Sequence, residues 1–148
     1  MQTRNSRFPA WIASISFLGI FLLPQASLAQ RCEPWAAKAV SVQGGVELQQ
    51  AGRSQWEPVN LNDTFCPGDK IRVHDRSRAD LALVNQPVMR LDENTTITLG
   101  GMKQERSLVE MLKGAAHFFS RAPKSLQVVT AFVNAGVEGT EFYVRADE

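Results

Sequence analysis

The chain has 148 residues, of which 44% are hydrophobic and 21% charged, with a formal net charge of +1. That length suits one ordinary domain, and the hydrophobic share excludes a chain disordered throughout. The 16 basic residues are offset by 15 acidic ones with no long basic run, which argues against nucleic-acid binding, and 2 cysteines are too few for a disulfide-dense miniprotein.

The N-terminus reads as an export signal. Arg4 and Arg7 form a short positive region, Trp11 to Leu23 is an uncharged apolar run, and Pro24 breaks it. Ser27-Leu28-Ala29 then supplies the small residues of a cleavage site, so residues 1–29 are expected to be a secretory signal peptide cut after Ala29. The apolar run is shorter than the about 20 residues that cross a bilayer comfortably. An uncleaved anchor is the alternative, and a cleaved chain would not span the membrane. A lipoprotein signal is not expected, because Gln30 and Arg31 stand before Cys32 where a small-residue box would be. Without Arg4 and Arg7 the remainder, residues 30–148, carries a net charge of about −1.

Export gives the two cysteines a context. Cys32 and Cys66 are expected to form a disulfide in an oxidising, periplasmic or extracellular space. In the chain-entropy picture a loop of that size stabilises by about 3.5–4 kcal/mol. The bond would pin the start of the exported chain to the loop at Cys66-Pro67-Gly68. Metal binding or a catalytic thiol has no CxxC and no neighbouring histidine to support it.

From there on the hydrophobic period is two. Val40, Val42, Val46 and Leu48 alternate around Gly44-Gly45, which reads as a hairpin. Ile71 and Val73, Leu81 and Leu83, Val88 to Leu91, Thr95 to Leu99, Leu108 to Leu112, Ala115 to Phe119, Leu126 to Thr130, Phe132 to Asn134 and Phe142 to Val144 follow as strands. Turn signals separate them, among them Pro67-Gly68-Asp69, Asp92-Glu93-Asn94, Gly100-Gly101, Lys113-Gly114 and Ala122-Pro123. Only Pro34 to Ala39 could form a brief helical turn. About ten short strands predict an all-β fold. Strands that bury one face need a second layer or closure, so the expectation is two stacked antiparallel sheets, sandwich-like or a short β-solenoid. Leu108, Met111, Phe118, Val128 and Val133 would complete the inward set. The chain stops soon after its last apparent strand, and is expected to be a piece of a longer product.

The catalytic inventory is poor. His74 and His117 fall at strand positions, no Ser-His-Asp, HExxH, CxxC or GxGxxG pattern occurs, and adjacent Asp92 and Glu93 read as a solvated turn. No enzyme activity, cofactor or metal is expected. Gly139-Thr140-Glu141-Phe142 is the strongest local signal: Gly139 for positive φ or close backbone approach, Thr140 for a bond to a neighbouring strand, Phe142 as a core plug. Lys70, Arg72, Arg76 and Arg78 place four cations within nine residues. They read as a charged face that blunts an edge, or as a contact for an anionic partner. Trp35, Trp56 and Tyr143 could serve a sugar platform only if the fold brings them together. Asn62-Asp63-Thr64 and Asn94-Thr95-Thr96 are glycosylation-type sequons.

The ordered set of segments QWEPV, GDKIRVHDRSRADLAL, PVMRLDENTTITL, MLKGAAHFF, LQVVT and AGVEGTEFYV resembles the FecR domain, an extracytoplasmic bacterial domain. Gly68-Asp69, Ser77-Arg78-Ala79, Arg90-Leu91, Gly114 and Gly139-Thr140-Glu141-Phe142 carry the likeness, which covers residues 37–146. Thr130-Ala131 stands where the family often has Thr-Pro. The resemblance implies a bacterial, exported, non-enzymatic module with a sensing or scaffold role. Its partner would be an envelope protein or, as the alternative, a cell-wall glycan such as peptidoglycan or polysaccharide. A membrane-anchored regulator of a sigma factor is the further alternative. The few residues before Trp11 are too short for the cytoplasmic segment of such a regulator.

Overall fold

The structure, a computed structural model, describes residues 32–122, 124–132, 134–136 and 140–146. The expected signal peptide, Val133 and Gly139 lie outside the described residues. No helix forms among those described, and the fold is all-β. The strands are β1 (Ala37–Gln43), β2 (Val46–Gln49), β3 (Trp56–Pro58), β4 (Thr64–Phe65), β5 (Lys70–Val73), β6 (Arg78–Leu83), β7 (Val88–Leu91), β8 (Thr95–Lys103), β9 (Arg106–Phe119), β10 (Leu126–Val129), β11 (Asn134–Gly136) and β12 (Glu141–Ala146).

Hydrogen bonding runs through one curled sheet, in the order β3-β2-β5-β8-β9-β7-β6-β1-β4, with β10 and β12 also on β9 and β11 on β10. This differs from the expected pair of stacked sheets. The reason is β9, a strand of 14 residues that belongs to both halves. Its first part pairs with β8, from Lys103↔Arg106 to Thr96↔Lys113, and with β10. Its last part pairs with β7, from Val88↔Phe119 to Leu91↔Ala116, and with β12. Every pairing is antiparallel except β10 with β9, which is parallel. In sequence Lys113-Gly114 reads as a turn that divides β9 in two. The chain instead bends there and continues.

The two halves close on a single core. Phe65, Leu81, Met89, Leu91 and Phe118 come from one half, and Ile71, Ile97, Leu99, Met111 and Leu126 from the other, each at most 1% exposed. Burying a side chain of this size stabilises by about 1.5–3 kcal/mol. Phe142 is half-buried and stacks on Phe118, ring centroids 4.8 Å apart and planes 5° from parallel. It therefore packs on the rim of the core rather than in its centre.

Three local expectations change. Ala37 and Ala39 are buried while Val40 is 46% exposed, because the register with β6 shifts between Ala39 and Ser41. The bulged residue leaves the alternation, and Val40 is that residue. Leu108 lies half-buried and Val109 takes the core position, since the register with β8 shifts between Leu99 and Gly101. Residues from Ala37 onward extend as β1, so the brief helical turn is absent. The Ala36 N–H donates to the Phe65 carbonyl at 2.7 Å and draws this segment into the sheet.

The two phenylalanines should separate on truncation. Phe118→Ala is expected to cost about 3–5 kcal/mol in chemical denaturation, the range for an enclosed ring. Phe142→Ala, at the rim, should cost about 1–3 kcal/mol. Equal losses would contradict this placement of the core.

Candidate functional site

The bend in β9 needs a residue without a side chain. Gly114 has φ +93°, and a Cβ there would lie 2.5 Å from Thr95 Cα and 2.8 Å from the Asn94 carbonyl oxygen. Only glycine meets both demands. Opposite it, Asp92-Glu93-Asn94 interrupts what would otherwise be one strand, with Asn94 at φ +56°. The ladder is mended by a side chain. Buried Thr95 donates its hydroxyl to the Ala115 carbonyl and accepts from the Ala115 N–H, both at 3.0 Å. The Asp92 N–H donates to the same carbonyl at 3.0 Å.

This corner opens an outward cleft of about 800 Å³. Gly114 and Ala115 of β9 and the Asp92–Asn94 turn line one part, and Arg76 to Arg78 line another. Tyr143 and Arg145 of β12, with Lys113, complete the wall. Four cationic side chains thus face two carboxylates. Arg78 Nη2 lies 3.4 Å from Asp92 Oδ1, and Arg76 pairs with Asp75 at 3.2 Å. Glu93 accepts from the Arg76 N–H at 2.8 Å, which orders the Arg76 turn at φ +51°.

An aromatic row adjoins the cleft. On the outer face, Tyr143 pairs in register with His117, His117 with Arg90, and Arg90 with Asp80. The Tyr143 and His117 rings lie 4.5 Å apart and His117 stacks near Phe119 at 6.3 Å. Arg90 is held by Asp80 at 2.9 and 3.1 Å.

The four candidate cations do not form one patch. Arg76 and Arg78 reach the cleft, whereas Lys70 and Arg72 stand on β5 in the other half. Arg72 lies 4.1 Å above the Trp56 ring and grips Glu47 Oε2 through Nε at 3.1 Å and Nη2 at 2.5 Å. His74 Nε2 reaches the same oxygen at 2.7 Å. Trp56 thus covers Arg72, whereas Tyr143 contacts His117.

The remaining motif residues shape the frame. Cys32 and Cys66 are joined as a disulfide, Cα atoms 5.7 Å apart. Gly68 turns at φ +90°. Asp69 is buried, and its carboxylate accepts from the Ala51 N–H at 2.9 Å and the Cys66 N–H at 2.7 Å. Thr140 is exposed, and its carbonyl accepts from the Ser120 N–H at 2.8 Å. Thr95, Lys113 and Arg145 carry no site signal in the sequence. Lys113-Gly114 gives only a turn signal, and nothing local says that Thr95, 19 residues earlier, will cover it.

The hydrogen bonds from Arg72, then from His74, lower the pKa of Glu47. A carboxylate depressed in the folded state adds stability above its unfolded pKa, and that increment is lost as pH falls through the folded value. Glu47→Gln should therefore lower stability at about pH 7 by about 0.5 kcal/mol, the size of a surface pair. The gap between variant and wild type should shrink toward about pH 3. A gap that widens on acidification would contradict the assigned pairing.

The family model described as FecR protein matches residues 69–148. The match begins at Asp69 and takes in the corner, the cleft and β12, while the Cys32–Cys66 bond and Trp56 lie before it. Neither a curated protein nor a solved structure matches the chain. With more than half its length under that one model, the chain belongs to the FecR protein family.

Proposed function

We propose that the chain is an exported, non-enzymatic binding module with a sensing or scaffold role, and that the corner cleft is its contact site. Members of the FecR family act as regulators in signalling rather than as enzymes, and the family is bacterial with extracytoplasmic regulatory domains. The observation that carries the site is the meeting of Arg76 and Arg78 with Tyr143 and Arg145 at one cleft. These residues are up to 69 positions apart in sequence. Arg76, Arg78, Lys113 and Arg145 line the cleft together with Asp92 and Glu93, which favours a polar, charged partner over an apolar one.

Both histidines are occupied structurally. His74 holds Glu47, and His117 supports Tyr143. Both therefore hold neighbouring side chains in place rather than act as acids or bases. The disulfide suits an oxidising compartment, as a signal peptide ending at Ala29 would require.

Neutralising Arg76→Gln together with Arg78→Gln tests the site. Their ion pairs are exposed, so melting should stay within about 1 kcal/mol of wild type. Cross-linked capture of an envelope partner by the exported chain should fall sharply. Undiminished capture by the double variant would remove the cleft from the contact surface. The exported chain should also begin at Gln30 by intact mass, and a full-length membrane form would refute cleavage.

A further inference from the structure

We propose that two copies of the chain pair through β12, antiparallel about a two-fold axis at Tyr143, so that their sheets join into one. The inference does not depend on what the cleft holds.

β12 is an open edge. Among the described residues its strand partner is β9 alone. The other strands with a single partner there are β3 and β11 with 3 residues each and β4 with 2, against 6 in β12. Short edges, and edge prolines such as Pro58, discourage pairing with another chain. β12 has neither guard: it holds no proline, and its pairs with β9 run from Glu141↔Phe119 to Ala146↔Gly114 without a register shift.

The backbone phase decides which groups face outward. Along an antiparallel strand, residues whose N–H and carbonyl bond one neighbour alternate with residues whose groups point away from it. The Ser120 N–H donates to the Thr140 carbonyl at 2.8 Å, so the even-numbered residues of β12 bond β9. On the far side of β9 the Asp92 N–H donates to the Ala115 carbonyl at 3.0 Å, which turns the odd-numbered residues of β9 toward β7 and agrees with this phase. The N–H and carbonyl of Tyr143 therefore point away from β9 at the middle of the edge, and those of Glu141 do the same.

Parity and charge leave one two-fold register. Only odd-numbered residues can exchange bonds across the edge, so the axis passes an odd-numbered residue. At Glu141 or Arg145 it would set like charges opposite each other. At Tyr143 it sets Glu141 opposite Arg145 of the second copy, and Phe142 opposite its Val144. Phe142 and Val144 are half-buried and pack against the core at this edge, so each gains cover from the other copy. Tyr143, 49% exposed, meets its own counterpart. Arg145 already has a partner in its own chain, so the charges serve only to exclude the other registers. Backbone bonds and apolar cover hold the pair. The two-fold axis puts both outer faces on one side, and the two clefts are presented together.

A strand edge is a small interface, so the dimer is weak. Sedimentation velocity of the exported chain should show monomer at about 1 µM and mostly dimer by about 300 µM, as a Kd on the order of 100 µM gives. Tyr143→Cys should cross-link into a covalent dimer on mild oxidation, because the Cα atoms of a bonded antiparallel pair lie about 5.5 Å apart, within disulfide reach. Glu141→Cys should not, since its counterpart lies about 13 Å away along the strands. Tyr143→Pro removes the central donors and should move dimerisation to at least about tenfold higher concentration. Its melting should stay near that of wild type, because this N–H does not face β9. If Tyr143→Pro melts early, the two cysteine variants decide. A chain that is monomeric at every concentration would overturn the proposal and leave the edge to a strand from another protein. A dimer that persists in a folded Tyr143→Pro, or that cross-links through Glu141→Cys as readily as through Tyr143→Cys, would lie elsewhere on the surface and overturn it as well.

Discussion

Everything in this fold turns on the contact between Gly114 and Thr95. A strand of fourteen residues is too long to lie in one half of a small curled sheet, so β9 must bend. It bends where the backbone takes φ +93° and where Thr95 comes too close for any side chain. The bend would leave the Ala115 N–H without a backbone partner on the side of the Asp92–Asn94 turn. An unpaired buried backbone group costs about 1–3 kcal/mol, and the Thr95 hydroxyl removes that cost for the Ala115 N–H while sharing the Ala115 carbonyl with the Asp92 N–H. The corner is thus satisfied internally, and both halves can face one core. The same corner leaves the cleft on the outside, between the Asp92–Asn94 turn, the Arg76 turn and β12.

Asp69 plays a comparable part at the other end. Its carboxylate binds two N–H groups, Ala51 after β2 and Cys66 beside the disulfide. Its own carbonyl accepts from Leu99 in β8 at 2.9 Å. One buried acid therefore ties the β2–β3 connection, the disulfide loop and the central strands. Function is left to the outer face, where charged and aromatic side chains can be arranged without touching the core.

Much of the fold was legible because a strand shows its buried face at every second residue. Ile71, Val73, Leu81, Leu83, Ile97 and Leu99 follow that rule, and all are buried. The rule fails where register is set by a neighbour. Val40 leaves the pattern at a bulge that only the pairing with β6 reveals. Gly114 reads as a turn in isolation, because glycine serves a bend within a strand as well as a reversal between two. The short strands β3 and β4 carry too few residues to show any period. The site was half legible. Arg76 and Arg78 stood out as charge, but Tyr143 and Arg145 join them only through the register of β12 on β9. Trp56 shows the reverse case: a lone aromatic in sequence turns out to be the seat of Arg72.

The corner is most directly tested by urea unfolding of Gly114→Ala. The single methyl group meets Thr95 and the Asn94 carbonyl at a φ that alanine resists, so the midpoint should fall by the equivalent of more than about 2 kcal/mol. That is a large part of the about 5–15 kcal/mol that holds a domain together. A midpoint within about 0.5 kcal/mol of wild type would show that the bend is not fixed by this contact, and the cleft would lose the physical reason for its shape.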